Sequence, residues 1–148
     1  MFSLNQATIK RASVPEAVRA TVDAGIGAIG LWREPVAEFG LAASAELVRG
    51  AGLTVSSLCR GGFFTGADLS AALDENRRAI EETAALGAPA LVLVVGGLPP
   101  GSRDLVGARE RVRDAIGALE RDALAAGIRL AIEPLHPMYV ADRAVVST

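Results

Sequence analysis

The 148-residue chain is short of the residues that most often mark chemistry: it has one cysteine, one histidine, one tryptophan and one tyrosine, and aromatics make up 4%. The lone Cys59 excludes an internal disulfide and points to a reducing compartment. Positive charge is not in excess, with 15 Lys+Arg against 17 Asp+Glu. A net charge of −2 offers no field to attract nucleic acid or anionic lipid, so neither is expected as a partner. The opening Met-Phe-Ser-Leu-Asn-Gln lacks the basic region and apolar run of a secretory signal, and the longest apolar run, residues 88–95, is far too short to span a bilayer. A soluble cytoplasmic protein is therefore expected. What the chain does have is 51% apolar residues, enough to fill one domain-sized core.

Those residues fall into a repeating pattern. Residues 2–9 have strand-like content interrupted by Asn5 and Gln6. Ser13-Val-Pro-Glu16 fits a capping box with Pro15 in the first turn, predicting a helix to Ala24 and a stop at Gly25. Ala28–Trp32 reads as a strand leading into Arg33-Glu-Pro35, and residues 41–51 suit a helix. Residues 53–58 form the third strand, followed by a Cys59–Phe64 loop, and residues 72–86 the third helix, with Leu73, Ile80 and Ala84 at helical spacing. Ala90–Val95 is apolar on both faces, as a covered parallel strand should be. A glycine-rich loop, 96–102, with the character of a lid, precedes a long helix striped by Val112, Ile116, Leu119, Ala123 and Ala126. The last strand is Ile128–Glu133.

Gly25, Gly52, Gly87 and Gly127 each fall where a helix needs a left-handed C-terminal residue, and each is followed by a β-type run. The chain is thus a series of βα units, which build a parallel sheet, either open and doubly wound or closed into a barrel. The barrel is favoured because the loops after strands are rich in polar and aromatic residues while helix-to-strand links are short. Gly25-Ile-Gly-Ala-Ile-Gly30 matches a dinucleotide fingerprint in letters, but it follows a helix and precedes a strand, the reverse of the context a pyrophosphate needs. A complete barrel takes about 250 residues. The expected fold is therefore the N-terminal portion of a TIM-type barrel, one domain over residues 1–148 with about five strands and four helices, interrupted at Thr148 or completed by a partner. Its first and fifth strands would leave edges through which copies could associate.

The sharpest signal is the stretch Ile128 to Tyr139. Glu133 ends an apolar strand, where a buried carboxylate without a partner would be costly, so a metal ion or an arginine is expected to satisfy it. Five segments, Ser3-Leu-Asn-Gln-Ala-Thr, Gly30-Leu-Trp-Arg-Glu-Pro, Ser57-Leu-Cys-Arg-Gly-Gly-Phe-Phe, Leu93-Val-Val-Gly-Gly-Leu-Pro and Ile132-Glu-Pro-Leu-His-Pro-Met-Tyr, together resemble the sugar phosphate isomerase/epimerase family of xylose isomerase-like barrels. The resemblance covers essentially the whole chain. It implies a divalent metal held by Glu, Asp, His and Glu near strand ends, of which the first falls on Glu133 and the others beyond Thr148. It also implies that Glu133 both binds metal and shuttles a proton.

Proton transfer beside a carbonyl carbon calls for a carboxylate base and an electrophile, which agrees with that placement. Carboxylate-rich donors suit Mn²⁺ or Mg²⁺ best, with Co²⁺ or Zn²⁺ as alternatives. Around Glu133 stand candidate contacts for a sugar or sugar phosphate, each with a structural alternative. His136 either meets substrate or serves as a loop hydrogen-bonder. Trp32 is a sugar wall or a core residue; Arg33 and Arg60 grip a phosphate or pair with Glu34 or Asp68; and Asn5, with Gln6, binds a ligand or its neighbour. Cys59 reads as a small core residue rather than a nucleophile. Two other functions are alternatives: an inactive half-barrel that binds itself or a partner, and an apurinic-site endonuclease-like phosphodiesterase, disfavoured by the single histidine and negative charge.

Overall fold

In the computed structural model, which describes residues 2–147, five strands pair in parallel in the order β1-β2-β3-β4-β5. The strands are β1 Ser3–Asn5, β2 Ala28–Trp32, β3 Thr54–Gly62, β4 Ala90–Val94 and β5 Arg129–Ile132. The α-helices are α1 Val14–Asp23, α2 Arg33–Phe39, α3 Leu41–Gly50, α4 Leu69–Ala85 and α5 Leu105–Ala125. Sequential neighbours pairing in order, with helices between them, is the βα repeat of a barrel wall. Thr148, where the interruption was expected, lies outside the described residues.

Alternation along each strand divides the sheet into two faces. Ile29 and Leu31 of β2, Val55 and Leu58 of β3, and Leu91 and Leu93 of β4 pack into the core with Val18, Ile80, Val112 and Leu119 of the helices. The opposite, concave face carries small or polar residues instead. Gly25, Gly52, Gly87 and Gly127 have φ between +67 and +72°, so each helix ends in the left-handed conformation its sequence predicts. At the start of α1 the backbone N–H of Ser13 donates to Glu16 at 2.8 Å, closing the expected capping box.

The structure corrects the sequence reading in four places. There are five α-helices among the described residues rather than four, because Arg33–Phe39 is helical. Pro35 sits in its first turn, where no backbone donor is missed, and Val36 buries against the core. The first strand ends at Asn5, since the Asn5 side chain caps a 3₁₀ turn over Gln6–Ile9 by accepting from the Ala7 N–H at 2.9 Å. The third strand continues through Cys59 to Gly62 rather than breaking into a loop at Cys59. Finally, the start of the glycine-rich loop is no lid. Gly96 N–H donates to the Arg143 carbonyl and Gly96 O accepts from Val145 N–H, both at 2.9 Å, as the segment after β5 folds back and buries Ala144 and Val145.

Arg33 ties the unexpected helix to α4. Its Nε and Nη2 donate to Glu82 at 2.5 and 2.9 Å, and Nη2 also donates to Glu75 at 2.7 Å. The two carboxylates, Glu82 foremost, push the guanidinium pKa up. Because Glu75 and Glu82 are partly exposed and screened, Arg33→Ala is expected to cost only about 1–2 kcal/mol of unfolding free energy. The Glu75 carboxyl is held below its ordinary range, first by Arg78 and then by Arg33. A lowered folded-state value means stability that is complete above the unfolded carboxylate range and lost as pH falls through the lowered value. The gap between wild type and Arg33→Ala in urea titrations should therefore narrow as pH is taken through that window; a constant gap would mean that packing rather than charge holds α2.

Candidate functional site

The strand registers build a concavity at the C-terminal ends of the sheet. Trp32 lies opposite Cys59, Cys59 opposite Val92, and Val92 opposite Ala131, while Asn5 and Gly30 pair one layer below. Beside Trp32, the smaller Cys59, Val92 and Ala131 leave a pocket of about 340 Å³, lined also by Asn5, Ser57 and Glu133. A Cβ on Gly30 would lie 3.3 Å from the Ser57 hydroxyl, so the narrow floor suits glycine.

Glu133 stands one residue past β5, its backbone N–H extending the ladder to the Leu93 carbonyl at 3.0 Å. The carboxylate is solvent-exposed, so the burial cost anticipated from the sequence does not apply. Among the described residues it makes no hydrogen bond or ion pair, and in particular no arginine pairs with it. Its charge is nevertheless felt inside the pocket. Burial pushes the Cys59 thiol from its ordinary 9.0 up to about 12, with Glu133 adding to the rise and Arg60 opposing it. Such a thiol holds about a thousandfold less thiolate, so alkylation of Cys59 by iodoacetamide at pH 8 is expected to lag a free cysteine by about that factor. Rapid labelling of the native protein would show the thiol to be accessible and ionised.

Asn5, Trp32 and Arg60 are brought together; Arg33 and His136 are not part of that group. Trp32 Nε1–H donates to Asn5 Oδ1 at 2.9 Å, and the Trp32 backbone N–H donates to Gln6 Oε1 at 3.0 Å. The Arg60 guanidinium lies 5.5 Å from the Trp32 ring centre and 5.1 Å from that of Phe63, with Glu34 at 3.7 Å. Arg33 is committed to α4. His136 accepts from the Met138 N–H through Nδ1 at 3.2 Å, capping a short 3₁₀ turn outside the pocket, which is the loop role weighed for it. Asp68, a proposed arginine partner, instead caps α4 through the Ala71 N–H.

Two further residues hold the site: Gln6, expected from the sequence to bind a ligand or its neighbour Asn5, and Asn76, which the sequence reading does not single out. Gln6 is 1% exposed and anchors Trp32. Asn76, 2% exposed, clasps Gly62 at the end of β3: its amide accepts from Gly62 N–H at 2.7 Å and donates to Gly62 O at 2.9 Å. The signal for Asn76 was a lone amide on the apolar face of α4, three residues after Leu73 and four before Ile80.

As a metal site these residues form one corner. Among the described residues no group of three or more His, Cys, Asp or Glu converges to hold an ion. Glu133 alone supplies one donor, where a hard divalent cation takes six or more oxygens. The described residues therefore do not make a complete site.

A family model described as xylose isomerase-like TIM barrel matches residues 18–144. The chain belongs to this family. No curated protein matched it. The chain is 50% identical to protein SMc04130 from Sinorhizobium meliloti 1021, with a TM-score of 0.94 over 98% of this chain and 54% of that one. It also superposes on the IOLI protein solved with a zinc atom (19% identity, TM-score 0.77, 91% of this chain and 52% of that one). A D-psicose 3-epimerase in the presence of D-fructose gives 16% identity and a TM-score of 0.75, over 91% and 52%. At those identities the last two attest the fold alone. The chain spans about half the length of each of these proteins. No helix among the described residues is long and apolar enough to cross a membrane.

Proposed function

We propose that the barrel to which this chain contributes isomerises or epimerises a sugar or sugar phosphate in the cytoplasm, with Glu133 moving the proton. The observation that carries this reading is a carboxylate at the end of β5 that lines a pocket and has no cation partner among the described residues. A base placed so takes a proton from the carbon beside a carbonyl and returns it to a neighbouring carbon or to the other face. Glu133 would also be one ligand of a divalent ion, Mn²⁺ or Mg²⁺ by donor chemistry, with the remaining donors supplied from outside the described residues. When bound, that ion supplies positive charge that steadies a developing enediolate. Trp32 offers an apolar wall to the CH faces of a sugar, and the Asn5 amide keeps its two N–H donors for hydroxyls. Arg60, loosely paired with Glu34 and lying over the Trp32 ring, borders the neighbouring cleft that Arg33 also lines rather than the pocket itself, and is the cation offered to a phosphate that extends past Trp32. The ketose in the D-psicose 3-epimerase neighbour supports the substrate class, and the zinc in IOLI supports a divalent ion without favouring Mn²⁺ or Mg²⁺.

The test is proton exchange with solvent. Full-length protein supplied in turn with Mn²⁺, Mg²⁺, Co²⁺ and Zn²⁺ in D₂O should place deuterium beside the carbonyl of a ketose or its phosphate, read by NMR. No incorporation across a panel of both would sink the proposal.

One observation favours a second reading. β1 and β5 are each paired along one side only, which suits a half-barrel that associates with itself. Light scattering on the 148-residue chain decides it: a stable dimer supports that reading and a monomer removes it.

A further inference from the structure

We propose that Trp32 is a partition that sets the length of sugar the site admits, closing the pocket before Glu133 off from a second cleft behind the indole. The inference rests on reading that pocket as a sugar site. A cleft of about 440 Å³ lies between the 3₁₀ turn after β1 and helix α2, with Lys10, Arg11, Glu34 and Glu38 in its lining. Trp32 is the one residue shared by the two linings. The two spaces meet at Trp32, and that residue is held at several points.

The indole edge donates to Asn5, the backbone of the same residue donates to buried Gln6, and Arg60 lies over the ring. Asn5 is oriented in turn, because the oxygen that accepts from the indole also accepts from the Ala7 N–H. A ring fixed at its edge, at its backbone and over one face has little freedom to swing aside, and an oriented support of this kind is how a site keeps its shape. Asn5 is thus a positioning residue for the wall. The second cleft is lined by charged groups of both signs, which suit hydroxyls better than an apolar extension. Opening the wall should therefore admit a ketose bearing a second sugar, which the intact wall refuses.

The experiment compares kcat/KM for a ketohexose and for the same ketohexose carrying a sugar on its terminal hydroxyl, in full-length wild type, Trp32→Ala, Trp32→Phe, Asn5→Ala and Asn5→Asp. The large-to-small ratio should rise at least tenfold in Trp32→Ala and stay close to wild type in Trp32→Phe. Asn5→Ala should raise it less, through KM of the larger sugar. Asn5→Asp, which keeps the acceptor oxygen, should restore the wild-type ratio. Because Trp32 is the sole tryptophan of the 148-residue chain, acrylamide quenching of that chain's emission should also rise in Asn5→Ala and not in Asn5→Asp. An unchanged ratio in an active Trp32→Ala protein overturns the partition. If no variant and not even wild type turns over a ketose, the functional reading fails instead. The partition is then judged by calorimetry with free indole, which should bind Trp32→Gly and not wild type; no binding to the variant would mean that the two spaces do not join.

Discussion

Glu133→Gln in the full-length protein is expected to lower the rate of ketose proton exchange by about a thousandfold or more, since a positioned acid–base group contributes roughly 10²–10⁴. Its unfolding free energy should stay within about 0.5 kcal/mol of wild type, as for a surface change that breaks no contact. The physical case lies in the contrast. The carboxylate is exposed and makes no hydrogen bond or ion pair among the described residues, so folding gains little from it. Gln keeps the shape and removes the charge and the basicity. Two further readouts follow from the same charge. Mn²⁺ binding by calorimetry should weaken in the variant, and Cys59 should alkylate faster, because one of the influences holding its thiol up is gone. A variant that keeps full exchange activity would remove Glu133 from the chemistry. One that loses several kcal/mol would make it a structural residue.

Asn76→Leu is expected to destabilise the fold by about 2–5 kcal/mol, read as a lowered urea midpoint with unchanged slope. Asn76 is buried, both its amide donors are used, on the Gly62 and Ala72 carbonyls, and its oxygen accepts from Gly62 N–H. Leucine fills similar space but leaves Gly62 N–H and C=O unsatisfied in the core. Gly62 cannot shift to find other partners, because at φ +108° even a Cβ there would lie 2.0 Å from the Val94 carbonyl. Asn76→Asp distinguishes the amide's donor role from its size. A carboxylate would accept from Gly62 N–H yet face two carbonyl oxygens, so its folded-state pKa should be raised. A raised value means that the variant regains stability as pH falls through it, since the protonated acid can again donate. A Leu variant as stable as wild type would show that water replaces the clasp. The consequence reaches the site rim, since Gly62 leads directly into Phe63, on which Arg60 stacks.

How much of this was legible depends on distance along the chain. The helix stops and the capping box were readable because they depend on a few adjacent residues and short-range backbone geometry. The helix at Arg33–Phe39 was missed because its anchors, Glu75 and Glu82, lie 42 and 49 residues away. The clasp on Gly62 was missed for the same reason, as its partner sits 14 residues on, across a turn of the barrel wall. Glu133 stands out in the sequence by its position at a strand end, but the buried charge expected there is instead an exposed carboxylate without a partner among the described residues.

By itself the sequence determined the order of βα units, the family they belong to and the carboxylate at the end of the fifth strand, because hydrophobic period and turn chemistry act locally. Only the tertiary structure decided which polar residues meet. Trp32 reaches Asn5 across 27 residues, Arg33 leaves the pocket for α4, and His136 caps its own turn, since those choices are made by strand register and by competition among charges that no local pattern records.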